Sequence, residues 1–186
     1  MNRGSGVGFF TMHDGQRRGD GAGPSELEGQ PAAAPACEFV KAHQVISAEG
    51  LATRDNALLH LARVAVDLGL ATDADELYRA FIARELEGDT GMVDGFAVPH
   101  AKSPSVCEAS VLILKDPVGI EGWGTMDDLP VTVAIALLIP EVNAGTSHLM
   151  VLSKVAEALM DDVFRAAMKA EDEPELVAAL INARLA

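Results

Sequence analysis

The stretch VTVAIALLIP, residues 131–140, decides the fold. It is β-branched or aliphatic at almost every position and does not alternate with polar residues. A strand with one wet face alternates apolar and polar side chains, whereas a strand covered on both faces reads as a continuous apolar run. The neighbouring run ASVLILK, residues 109–115, has the same two-sided character. Both are of strand length and rich in residues that suit a pleated surface. The pair predicts strands that run through a sheet with helices on both of its faces.

Upstream of these strands, HQVIS (43–47) reads as a short strand. Thr53 then precedes Leu58, Leu59, Ala62, Ala65 and Val66 at helical spacing, and Gly69 ends that helix. Thr72 or Asp73 can cap a second helix carrying Leu77, Ala80, Phe81 and Ala83, which Gly88 stops. Downstream, Thr146 or Ser147 opens a helix with Leu149, Leu152, Ala156 and Leu159. Asp161 or Asp162 starts another, and Glu173-Pro174 a last one through Leu185. Interleaved strands and helices predict an α/β fold around one sheet. No internal repeat is present.

The chain has 186 residues, of which 49% are hydrophobic, enough for one well-cored domain and a tail. Residues 1–40 are rich in Gly, Pro, Ala and charge, and RRGDGAGPSELEGQPAAAP lacks the apolar surface to offset ordering entropy. We expect a disordered tail over 1–40, with Met12 an alternative start, and a domain over 41–186. Of the formal net charge of −14, the first 40 residues carry −2 and the body −12. An acidic body argues against a nucleic-acid backbone as ligand and suits a protein partner with a basic face. Cys37 and Cys107 form no metal or disulfide pattern. No signal peptide is visible, and the longest apolar run is about half the ~20 residues of a membrane span. A cytoplasmic protein without direct membrane insertion is expected.

The candidate chemistry lies in TGMVDGFAVPHAK, residues 90–102. Pro99 fixes its own φ and keeps Val98 extended, while Gly95 offers a bend or a close backbone approach. This places His100 at the carboxyl end of a short strand, FAV, the end where α/β sheets hold ligands and reacting groups. A neutral imidazole has a lone pair that can attack phosphorus or carbon. The plain alternative is a histidine that only hydrogen-bonds at a strand end. His148 falls in the first turn of the helix opened by Ser147, where free N–H groups favour an anion. It is either incidental or, if paired in space with His100, a phosphate partner. Arg84, in IARELEG, shares the helix face of Leu77 and Phe81. It is either a cation suited to a helix end or a guanidinium fork for phosphoryl oxygens. Glu85 beside it either orients it or lies on the surface.

Taken together, REL…TGMVDGFAVPHAK, Trp123, VTVAIALLIP and SHLMVLSKVAEALMDD resemble the fructose–mannitol type of enzyme IIA, a phosphocarrier domain of the bacterial phosphoenolpyruvate-dependent sugar phosphotransferase system. The resemblance covers residues 42–184. It implies a single mixed, mainly parallel β-sheet flanked by helices on both faces. It implies that His100 accepts a phosphoryl group on Nε2 from phospho-HPr, that His148 and Arg84 complete the site, and that Thr90, Gly91, Gly95 and Pro99 shape the loop. It implies transfer onward to an enzyme IIB, with a separate membrane IIC, for uptake of fructose or a related sugar or polyol. No cofactor and no metal are implied. This chain departs from the pattern at Phe96 and Val98, at Val93 where a glycine is common, and at Asp94, whose negative charge is unfavourable near phosphate unless it points away.

Two other readings keep His100 in view: a nitrogen-type carrier that regulates other proteins through its phosphorylation state, and a binding module that has lost transfer. The scattered His13, His43, His60, His100 and His148 lack zinc-site spacing, and no Gly-x-Ser-x-Gly elbow marks a hydrolase.

Overall fold

The computed structural model describes residues 39–142 and 147–186, with the side chains of Ser147 and His148 outside that description. The expected tail, with Met12 and Cys37, lies outside the described residues except for Phe39 and Val40. Five strands form one sheet: β1 (Val45–Ser47), β2 (Phe96–Ala97), β3 (His100–Ser103), β4 (Ser110–Ile120) and β5 (Val131–Pro140). The order is β1-β4-β5-β2, with β3 also on β5. β1 runs parallel to β4, and both β2 and β3 run parallel to β5. Only the β4–β5 pair is antiparallel, so the sheet is mixed and mainly parallel, as expected.

The two apolar runs serve both faces at once. Leu112, Leu114, Ala134, Ala136 and Leu138 face one core, with Leu58 and Leu61 of α1 (Arg54–Asp67) and Leu77 and Phe81 of α2 (Ala74–Glu87). Val111, Ile113, Val133, Ile135 and Leu137 face the other. There they meet Val155 of α3 (Ser147–Ala158), Phe164 and Met168 of α4 (Asp162–Ala170), and Val177 and Ile181 of α5 (Pro174–Leu185). Among the described residues, no helix is long and apolar enough to cross a membrane.

Helix ends follow local chemistry. Thr53 accepts the Asn56 N–H at 3.2 Å, and Asp73, rather than Thr72, accepts the Glu76 N–H at 2.9 Å. Asp161 caps α4 through the N–H groups of Val163 and Phe164. Pro174 occupies the first turn of α5, where a missing N–H costs nothing.

The strand that carries His100 differs from expectation. The run FAV does not end at His100. β2 stops after Ala97, and His100 opens β3. Yet Phe96 pairs with Val133, Ala97 with Ala134 and His100 with Leu137, with no change of register across Val98-Pro99. β2 and β3 are therefore one edge strand interrupted at a residue that has no N–H to donate. The break is partly sealed by the Leu137 N–H, which donates to the Pro99 carbonyl at 2.9 Å. His100 thus sits within an edge strand.

A tight hairpin feeds this strand. The Phe96 N–H donates to Val93 O at 3.2 Å across Asp94 and Gly95, whose φ values are 58° and 74°. Two positive φ values in succession belong to a type I′ turn, which favours Asp-Gly. A side chain at Gly95 would also press on Thr132 Oγ1 and Pro130 O. Asp94 is engaged by α4, where Arg165 Nε lies 3.3 Å from its carboxylate and Lys169 forms a second, shorter pair. The Lys169 hydrogen bond does most to hold the Asp94 carboxyl below its ordinary value near 3.8; burial opposes it as the next largest effect, and the Arg165 hydrogen bond and the charges of both cations add to the lowering.

Two stability tests follow from this packing. Ile135 is fully buried at the centre of β5, so Ile135→Ala should cost about 2–5 kcal/mol in urea unfolding. Because the Asp94 pKa is depressed on folding, its ion pairs stabilise the fold above the ordinary carboxylate value and are lost as pH falls through the folded value. Asp94→Asn should therefore lower the urea midpoint at neutral pH, and the gap from the unsubstituted protein should close below about pH 4. A gap that is the same at acid and neutral pH would mean that these pairs contribute nothing.

Candidate functional site

The last turn of α2 lies against β3, and this contact builds the site. Arg84 occupies that turn and is half-buried. Its Nε–H donates to His100 Nε2 at 2.8 Å, and its Nη1–H donates to the Gly88 carbonyl at 2.9 Å. The second contact caps the end of α2 and holds the guanidinium in one orientation. Of the two readings of Arg84, the Gly88 contact fits the helix-end cation, and the Nε2 contact places the guanidinium beside the His100 ring.

His100 makes two ring contacts that define its chemical state. Nδ1 lies 2.9 Å from the Val98 carbonyl oxygen, which can only accept. Nδ1 therefore carries the proton, and Nε2 carries the lone pair that receives the Arg84 Nε–H. The ring is half-buried and locked at both nitrogens. The nitrogen that holds the lone pair is Nε2, turned toward a guanidinium.

Register places His100 opposite Leu137, hence on the face of the sheet that α3, α4 and α5 cover. Arg84 comes from α2, which covers the other face, so it meets the ring across the free edge of the sheet. α3 begins at Ser147 as expected, and His148 is its second residue. Its first turn therefore stands over the same side of the sheet as His100. The side chain of His148 lies outside the described residues.

The loop before β2 is held by Glu85 and Trp123, neither of which was expected to act on it, through Thr90. Glu85 is not on the surface: it is buried. Its carboxylate accepts the Thr90 N–H at 3.1 Å and also the Thr90 hydroxyl. Trp123 Nε1–H donates to Thr90 Oγ1 at 3.2 Å. The Thr90 carbonyl in turn accepts the Val98 N–H at 2.9 Å. Gly91 is required by close approach, since a Cβ there would stand 2.1 Å from the Gly124 carbonyl oxygen. One signal for Glu85 was present in the sequence. It follows Leu77 and Phe81 at steps of four, which places a carboxylate on the buried stripe of α2.

Comparison with known proteins bears on this site. The family described as "Phosphoenolpyruvate-dependent sugar phosphotransferase system, EIIA 2" matches residues 38–183. The "PTS system fructose-specific EIIA component" of Haloferax volcanii is 34% identical over 123 residues, covering 66% of this chain and 79% of that protein. The "PTS system 2-O-alpha-mannosyl-D-glycerate-specific EIIABC component" of Escherichia coli is 32% identical over 131 residues, which span 69% of this chain but only 20% of that protein. Among solved structures, the nitrogen regulatory protein IIA-Ntr of Neisseria meningitidis superposes with a TM-score of 0.69 at 25% identity, covering 77% of this chain and 97% of that one. A match across nearly the whole described fold, with the expected sheet and helices around it, makes this chain a member of the EIIA type-2 family of the phosphoenolpyruvate-dependent sugar phosphotransferase system.

Proposed function

We propose that His100 accepts a phosphoryl group on Nε2 from the phosphohistidine of HPr and passes it to an enzyme IIB, with a membrane IIC carrying the sugar. Residues 41–186 are the phosphocarrier domain in this reading, and the cytoplasm is its compartment. The observation that carries it is the pair of ring contacts. With its proton on Nδ1 and bonded to Val98 O, the imidazole has its lone pair on Nε2, at a half-buried position beside an arginine.

The chemistry balances without a cofactor or metal. The Nε2 lone pair attacks phosphorus in line as the donor N–P bond breaks. The donor ring, protonated on its other nitrogen, departs as a neutral imidazole. His100 keeps its Nδ1 proton and becomes cationic, and the Val98 carbonyl is already placed to stabilise that charge. Both ends are phosphoramidates, so transfer is reversible and depends on positioning and charge stabilisation. Arg84 gives up its bond to Nε2 and turns its donors to the phosphoryl oxygens. His148, in the first turn of α3, joins the phosphoryl group in the loaded state.

The fructose-specific relative supports a sugar of the fructose class, and the relative named as an EIIABC component supports IIB and IIC as the downstream partners. Regulation by phosphorylation state is the second reading, favoured by the likeness to a nitrogen regulatory protein. The two differ in whether an enzyme IIB discharges the carrier.

Intact-mass analysis after incubation with phosphoenolpyruvate, enzyme I and HPr tests the assignment. Unsubstituted protein should gain one acid-labile phosphoryl adduct and His100→Ala none. Arg84→Gln should slow loading by about 10²-fold. Arg84→Lys should recover only part of this, because a lysine lacks the planar fork. An adduct that persists in His100→Ala would move the acceptor elsewhere. Discharge by an added IIB protein favours transport, and a stable adduct favours regulation.

A further inference from the structure

We infer that Glu85 and Trp123 are positioning residues for His100, acting through Thr90 to set the tautomer of its ring. The functional meaning of this rests on the acceptor role proposed for His100, but the geometry does not. Each hydrogen bond in the path has one defined direction. Trp123 Nε1–H can only donate, so Thr90 Oγ1 accepts from it and gives its own proton to the Glu85 carboxylate. The other carboxylate oxygen takes the Thr90 N–H. Thr90 is thereby held at its amide and hydroxyl, and its carbonyl fixes the Val98 N–H. Val98, fixed at its nitrogen by Thr90 and followed by the rigid Pro99, presents the carbonyl oxygen that takes the Nδ1 proton.

Two further observations support this path. Glu85, Thr90 and Trp123 are 5%, 6% and 5% exposed. Polar groups buried this deeply are costly unless paired, and here each finds a partner within the path. Glu85 also adjoins Arg84. One turn of α2 thus grips both ends of the site: Arg84 binds His100 Nε2, and Glu85 binds the residue that places the acceptor for Nδ1. A free imidazole side chain prefers its proton on Nε2, the arrangement that leaves no nucleophilic lone pair there. The Val98 carbonyl reverses this preference, and the Glu85–Thr90–Trp123 cluster keeps that carbonyl in place.

The test reads the tautomer directly, by ¹⁵N NMR of the imidazole at a pH where the ring is neutral, with phosphoryl uptake measured in parallel. The unsubstituted protein should hold the proton on Nδ1. Thr90→Val, which keeps the amide but loses the hydroxyl, and Glu85→Gln, whose amide would face the Thr90 N–H with a donor, should both shift protons to Nε2. Both should also slow uptake by about tenfold, and Thr90→Ser should restore both readouts. Should Thr90→Val fail to fold, Trp123→Phe makes the same measurement by removing only the indole donor. An unchanged Nδ1–H tautomer in a folded Thr90→Val or Trp123→Phe overturns the inference. So does an Nε2–H tautomer in the unsubstituted protein. If the expected tautomers are found but the unsubstituted protein takes up no phosphoryl group, the positioning role is supported and the carrier reading alone fails.

Discussion

β5 must be covered on both faces, and the rest of the molecule answers that requirement. A strand this apolar has no side that water tolerates, so helices pack above and below it. It also supplies the ladder for β4, β2 and β3. The edge strand bearing His100 is positioned entirely by its register with β5, and a shift of one residue would turn His100 to the opposite face. Core burial and site geometry are therefore coupled through one element.

The site itself is assembled from parts that are rigid for separate reasons. Pro99 restrains the backbone before the histidine, the Asp-Gly turn sets the approach to β2, and the end of α2 carries two adjacent side chains with different tasks. Arg84 faces His100 Nε2 while Glu85 holds the loop. In the transfer proposed for His100, such a site is in place before a partner docks, which lowers the ordering cost at encounter. That proposal leaves one rearrangement, the release of Nε2 by Arg84. A flexible side chain makes it, so the backbone need not move.

Much of the fold was legible because its signals are local. Two-sided apolar runs named the buried strands, and Thr53, Thr72 or Asp73, Asp161 or Asp162 and Glu173-Pro174 marked the helix starts, because capping depends on neighbours three or four positions away; the fold selects Asp73 and Asp161. The likeness of the chain to a known family was also visible, and the family match over residues 38–183 bears it out. The continuity of β2 with β3 was not, because it is defined only by pairing with β5, and a proline usually argues for an end. The partners of Asp94 could not be read either, since Arg165 and Lys169 lie more than seventy positions away in sequence. Glu85 was readable by spacing but looks like an ordinary helix-surface acid unless burial is considered first. The join between Trp123 and Thr90 exists only after the sheet forms.

The interruption at Pro99 has a consequence beyond the histidine. An exposed strand edge is a template on which another chain can add a strand, the route to uncontrolled self-assembly. Here the outer edge is broken in the middle by a residue that cannot donate, preceded by a tight turn and followed by a lysine, Lys102, at an exposed position. A foreign strand would find no continuous run of free N–H groups along it. The proline that restrains the backbone before His100 also makes the same edge a poor seed for aggregation.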